Sequence, residues 1–178
     1  GEKAELQALA DYTLQRLYPE IRVAENRYEK LLYKVIAKQA QLIAQWQLVG
    51  FIHGVMNTDN LLLSGETIDY GPCAFLDVYD PSTVYSSIDD TGRYAYKNQP
   101  YIAEWNLARF AETLLPLFPV EKEAAIALGM KALKSFFPTY KKHWLTLAMA
   151  KLGIQTVQQN DEQLVQELFT SMENYAAD

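Results

Sequence analysis

Between residues 24 and 49 the apolar side chains Tyr28, Leu31, Leu32, Val35, Ile36, Leu42, Ile43, Trp46 and Val49 recur at steps of three and four, with charged residues and glutamines between them. That rhythm matches one face of an α-helix at about 3.6 residues per turn, so the spacing predicts a long amphipathic helix over 24–49 that Gly50 ends. Leu6, Leu9, Ala10, Leu14 and Leu17 repeat the pattern earlier, and Pro19 marks the stop of a first helix over 4–17, since its ring cannot continue the hydrogen-bond ladder.

After Gly50 the period changes. Short apolar runs, FIH, NLLL and TID, alternate with glycine and polar residues and read as short strands and tight loops beside the long helix. Residues 73–100 hold no sustained period and are rich in Asp, Ser, Tyr and Gly, which predicts a long irregular segment. Loops beyond about 12 to 15 residues are uncommon unless they are functional or disordered. Helical spacing returns from Pro100, where Ile102, Trp105, Phe110, Leu114 and Leu117 are placed inward. Three further helices follow near 120–136, 138–152 (closed by Gly153) and 161–175, the last with Asn160 as its N-cap. The expectation is a mainly α fold in one domain over 1–178: a strand-containing loop at 51–72, the irregular loop at 73–100 and a helical part at 101–176.

With 178 residues, 49% apolar and 21% charged, the chain can bury an ordinary core without a metal or disulfide. Its net charge of −6 lacks the basic footprint of phosphate-backbone binding, which argues against nucleic acid as a partner. The single cysteine, Cys73, has no partner for a disulfide and no companions for a zinc site, as expected of a reducing compartment. No run approaches the roughly 18 apolar residues that span a bilayer, so no membrane is expected. The chain opens without methionine inside a helical pattern, and is read as a piece of a longer protein.

The chemistry concentrates in FIHGVMNTDNLLLSGETIDYGP, residues 51–72, where Asp59, Asn60 and Asp69 lie around two short strands joined by a turn at Ser64 and Gly65. Mg²⁺ takes oxygen ligands, typically one or two carboxylates completed by phosphate oxygens and water, and residues at the ends of adjacent strands can converge on one such ion. The same NTDN string also suits an Asx-turn or a helix cap. His53 suits a structural hydrogen-bonding role better than that of a general base. Asp77, Asp80, Asp89 and Asp90 read as solvated turn formers rather than a second metal cluster, Tyr79, Tyr85, Tyr94, Tyr96 and Tyr101 mostly as core cover, and Cys73 as an apolar filler. Arg93 is expected to pair with a loop carboxylate.

The order of these residues resembles the protein kinases. There a long helix leads into a His-containing loop, an Asn seven residues after the His binds metal, and an Asp-Phe-Gly motif supplies a second ligand. Here His53, Asn60 and Asp69-Tyr70-Gly71 fall in that order and spacing, but Val55 stands where kinases place the catalytic Asp. The strings HGVMNTDN, IDYGP, GRYAY, NQP and WNLARFAETLLPL are similar to the selenoprotein O family over most of residues 11–118. That resemblance implies a protein-kinase-like C-terminal lobe, ATP bound in a flipped orientation, and transfer of AMP to Ser, Thr or Tyr hydroxyls of proteins. It places the proton acceptor on Asp59 and the Mg²⁺ ligands on Asn60 and Asp69, with Asp69 also a cofactor-binding residue. It also implies an N-terminal lobe carrying the phosphate-binding Lys, so that this piece alone is expected to be inactive and to bind ATP weakly. A cytoplasmic location is expected for a bacterial member and a mitochondrial one for a eukaryotic member. Two other classes remain open: a kinase transferring the γ-phosphoryl, and a catalytically silent pseudokinase scaffold.

Overall fold

Among the described residues, six helices form where the apolar period predicts them: α1 (Lys3–Leu17), α2 (Arg27–Leu48), α3 (Gln99–Leu114), α4 (Lys122–Leu133), α5 (Phe136–Lys151) and α6 (Asp161–Asn174). The computed structural model describes residues 2–158 and 160–177. Two two-residue strands, β1 (Phe51–Ile52) and β2 (Ala74–Phe75), pair antiparallel with Phe51 opposite Phe75 and Ile52 opposite Ala74.

Helix α2 is the axis of the molecule and packs against α3, α4 and α5. It buries Leu31, Leu32, Val35, Ile36, Ala40 and Ile43 on the face the periodicity marks, while Lys30, Lys34, Lys38, Gln41 and Gln45 stay exposed. The polar Gln39 and Gln47 are buried on that same inward face. Fully burying one such aliphatic side chain is worth roughly 1.5–3 kcal/mol, so this face supplies much of the drive to fold. The C-terminal carbonyls of α2 would otherwise lack partners. Lys151 donates its ammonium to the Leu48 carbonyl and the Tyr96 hydroxyl donates to the Gln47 carbonyl, while Gln47 Nε2 returns a bond to the Tyr96 carbonyl at 2.8 Å. Gly50 then turns the chain at φ 67°, and its carbonyl accepts the Leu76 N–H at 2.7 Å.

The strand expectation needs correction. FIH pairs with Ala74–Phe75, inside the segment read as irregular, while NLLL and TID meet only at one bridge, Leu61 to Thr67. The segment 73–100 therefore contains β2, a 3₁₀ turn at Tyr96–Asn98 and the start of α3. Of the residues placed inward from Pro100 on, Leu114 and Leu117 are buried and Ile102 and Phe110 pack against the core, but Trp105 is 43% exposed, and Ala103, Asn106, Leu107 and Ala111 fill out the buried face of α3. Ala103 and Ala111 share the buried stripe of α3 with Leu107 and Leu114. Val49, counted in the inward pattern of α2, is half exposed. Asn160 occupies the N-cap position of α6 but makes no side-chain cap bond. Pro138 sits in the first turn of α5, where its missing N–H costs no ladder bond.

Candidate active site around Asp59, Asn60 and Asp69

Three side chains of α2 hold residues 61–67 in place. Gln39 Nε2 donates to the Leu62 carbonyl at 2.6 Å, Trp46 Nε1 to Thr67 Oγ1 at 3.2 Å, and Lys38 underlies Gly65. Gly65 adopts φ 78°, and a Cβ there would come within 2.8 Å of Lys38 Cβ, so only glycine lets the turn lie on the helix. The Gly65 N–H closes the turn on the Leu62 carbonyl at 3.0 Å. From the C-cap of α1, Tyr18 donates its hydroxyl to the Leu63 carbonyl. Burial, with Glu20 nearby, pushes that phenol up to about 12.

The preceding loop is held with equal care. His53 is wholly buried and stacks on Trp46 with ring centroids 5.5 Å apart. Its Nδ1 accepts the Val55 N–H at 3.3 Å, which leaves the proton on Nε2 to be donated to the Ile68 carbonyl at 2.8 Å. His53 thereby ties the loop before Asn60 to the residue before Asp69. Gln99, at the start of α3, accepts the His53 N–H at 3.0 Å and donates to the Phe51 carbonyl at 2.9 Å. Asn106 donates to the Met56 carbonyl at 2.9 Å. The other amide atoms of two of these side chains, Gln39 Oε1 and Asn106 Oδ1, are buried with no partner among the described residues. An unpaired buried acceptor costs about 1–3 kcal/mol, a cost carried at two side chains that position the loop.

The three predicted site residues sit on this frame. Asn60 ends a 3₁₀ turn at Thr58–Asn60 and donates Nδ2 to the Val55 carbonyl at 3.0 Å, while its Oδ1 accepts no bond among the described residues. Asp69 follows two residues after the Thr67 end of the bridge, in the left-handed region at φ 55°. Such a conformation costs a non-glycine residue of order 1 kcal/mol and persists only where its surroundings dictate it. Here the His53 bond to Ile68 on one side and the Gly71 N–H on the Asp69 carbonyl at 2.8 Å on the other do so. The carboxylates of Asp59 and Asp69 are exposed and form no ion pair among the described residues. Two carboxylates and one amide oxygen are donor types that a hard cation takes together with water and phosphate. Asp59 lines a cleft of about 420 Å³ with Met56, Asn57, Thr58, Arg93, Tyr94 and Trp105.

In the loop that follows, Asp80 accepts the Ser82 N–H at 2.8 Å and Asp89 accepts those of Arg93 and Tyr94 at 2.8 and 2.7 Å, as turn-forming carboxylates do. Arg93, expected to pair with a loop carboxylate, instead lays its guanidinium over Tyr94 and Trp105, because Asp89 is occupied by backbone N–H groups. Of the five loop tyrosines only Tyr96 is buried; Tyr79 and Tyr94 are half-buried, and Tyr85 and Tyr101 are exposed. Sequence reasoning missed Gln39, Gln99 and Asn106 as positioning residues. The available signal was a polar amide sitting at an apolar position of a helix, as Gln39 does three residues after Ile36.

The family model described as "Protein adenylyltransferase SelO" matches residues 1–178. A "Protein nucleotidyltransferase YdiU" from Alkaliphilus metalliredigens is 60% identical over 178 residues, covering 100% of this chain and 36% of that protein. Proteins of the same description from Clostridium botulinum, 59% identical over 178 residues, and Anoxybacillus flavithermus, 59% identical over 176 residues, are similar to the same extent. The chain thus spans little more than a third of the length of the curated relatives it matches.

Proposed function

The chain belongs to the selenoprotein O family of protein adenylyltransferases, and from that premise we propose that it is the metal-binding, kinase-like C-terminal lobe of an enzyme that transfers AMP from ATP to Ser, Thr or Tyr hydroxyls of proteins. The observations that carry the reading are the strained, externally fixed backbone of Asp69 and an Asn60 whose amide oxygen makes no hydrogen bond among the described residues. Backbone strain that the surroundings impose is a recurrent mark of functional positions.

In this reading Asp59 accepts the proton of the substrate hydroxyl, whose oxygen bonds to the α-phosphorus as the α–β anhydride breaks and pyrophosphate leaves. The cleft beside Asp59 gives the hydroxyl an approach from solvent. Asn60 Oδ1 and the Asp69 carboxylate would hold Mg²⁺, which supplies charge neutralisation at the phosphates when bound. Their fit rests on an Oδ1 without a hydrogen bond and a carboxylate without an ion pair among the described residues. His53, Gln39, Gln99 and Asn106 fix the loop in the geometry these roles need; effective catalysis of phosphoryl and nucleotidyl transfer is chiefly positioning and electrostatics. Val55 at the kinase base position favours nucleotidyl over γ-phosphoryl transfer. The relatives are bacterial and no helix among the described residues is long and apolar enough to cross a membrane, which supports a cytoplasmic enzyme. The phosphate-binding Lys belongs to a further lobe in this reading, so the isolated chain binds MgATP weakly and transfers nothing.

ATP labelled on the α- or the γ-phosphate, offered to the full-length protein with a mixture of protein acceptors, tests the proposal. Label from the α-phosphate enters protein, and Asp69→Ala lowers its incorporation at least about tenfold, since loss of even an outer partner of a metal ligand costs about 10–100-fold. Incorporation of γ-label, or undiminished transfer by Asp69→Ala, would overturn it.

A further inference from the structure

Beside Asp59, the exposed indole of Trp105 carries two guanidiniums. Arg93 Cζ lies 5.0 Å and Arg109 Cζ 5.2 Å from its centroid, and Arg93 also lies 5.7 Å from the Tyr94 ring. The two cations differ in availability. Arg109 is paired with Glu112 at 2.7 Å, whereas Arg93 has no ion-pair partner among the described residues. The carboxylate nearest in sequence, Asp89, is committed to the backbone N–H groups of Arg93 and Tyr94. Tyr94 in turn donates its hydroxyl to Asn57 Oδ1 at 2.7 Å, two residues before Asp59. The patch is thus anchored to the catalytic loop on one side and to α3 on the other, and stacking on the rings holds the planar fork of Arg93 ready.

On a chain of net charge −6, Arg93 is a cation with no ion-pair partner among the described residues, placed in the cleft that Asp59 lines and that neither Asn60 nor Asp69 lines. The cation therefore faces the acceptor side of the site rather than the metal side. We infer that Arg93, stacked on Trp105 and Tyr94, is a specificity-determining residue that binds a carboxylate flanking the hydroxyl to be modified, so that the enzyme prefers acceptors in acidic sequence. A guanidinium matches a carboxylate with two parallel N–H···O bonds, which a lysine cannot reproduce. The partner is an Asp or Glu side chain of the protein substrate. This inference rests on the reading of Asp59 as the group that receives the acceptor hydroxyl.

Two fluorescent peptides that differ only in having Glu or Gln on both sides of a single Ser test it with the full-length protein, by anisotropy and by transfer of α-labelled phosphate. The Glu peptide is expected to bind roughly three- to tenfold more tightly and to have a correspondingly higher kcat/KM. R93Q erases the difference between the peptides, R93K restores part of it, and the KM for ATP stays where it was in both variants. Equal binding of the two peptides by the wild type, or a difference that survives R93Q, overturns the inference. A rise in the KM for ATP in R93Q that is the same with either peptide also overturns it, by placing Arg93 on the nucleotide. If the Glu peptide binds more tightly through Arg93 but receives γ-label or none, the surface stands and the adenylyl-transfer reading fails instead.

Discussion

At the level of single residues, the side chains that hold the site are as informative as those expected to react. His53 precedes Asn60 by the kinase-like interval, yet both of its ring nitrogens are engaged inside the loop, with the Val55 N–H and the Ile68 carbonyl. It holds and orients; no ring nitrogen is left to meet a substrate. Replacing it by alanine removes a fully buried ring from Trp46 and leaves the part-buried Ile68 carbonyl without its donor, which is expected to cost roughly 2–4 kcal/mol. Urea denaturation of the chain measures this directly, and a His53→Ala variant as stable as the wild type would contradict the positioning role. The pattern at 51–72 made Asp59, Asn60 and Asp69 legible as candidates, since their residue types and spacing are carried by the string itself. Nothing in the string indicated the φ of Asp69, because that depends on the bond His53 makes to Ile68 across the folded loop.

Among the elements, α2 acts as a bench on which residues 61–67 are laid. Its long apolar period was readable because roughly six turns of consistent spacing leave little ambiguity, and the observed Arg27–Leu48 differs from 24–49 only at the ends. The strands were less readable. Two-residue strands carry too little sequence to show an alternation, and β1 and β2 are far apart in the chain, with the bridge at Leu61 and Thr67 between them. Gly65 is where helix and turn meet most closely. Gly65→Ala adds a methyl 2.8 Å from Lys38 Cβ at a backbone angle unsuited to alanine, and should cost at least about 1–3 kcal/mol while loosening the turn. Faster amide exchange across residues 60–69, with α3 to α5 unchanged, is the expected signature; wild-type protection there would mean that the turn does not depend on its contact with α2.

Across the whole molecule, buried phenols tie stability to alkaline pH. Desolvation, with a smaller contribution from Glu20, pushes Tyr18 up to about 12, and burial raises Tyr96 and Tyr140 as well. An unfolded chain releases these protons near pH ~10, while the folded chain retains them. The folded state binds more protons between those values, so stability is fully present below about pH 10 and falls as pH rises through about 12. The urea midpoint should therefore stay level from neutrality to about pH 10 and then drop, in step with tyrosinate absorbance. Tyr18→Phe should make that drop shallower, at a cost of about 1 kcal/mol at neutral pH from the lost bond to Leu63; a drop of unchanged steepness would remove Tyr18 from the explanation.

The helical architecture, the family and the identity of the candidate site residues are all written in local information: a period of three and four, or a contiguous motif such as HGVMNTDN. How those residues are held, and which surface adjoins them, came only with packing in three dimensions. Gln39, Gln99 and Asn106 look like ordinary polar helix residues until α2 and α3 close on the loop and their amides reach the carbonyls of Leu62, Phe51 and Met56. Trp105 looks like core until Ala103, Leu107 and Ala111 take the buried face of α3 and the indole is left outward under Arg93 and Arg109. The physical reason is common to both cases. A periodic pattern records which residues prefer to leave water, whereas the facing of a helix and the partner of a buried amide depend on the shape of whatever packs against it.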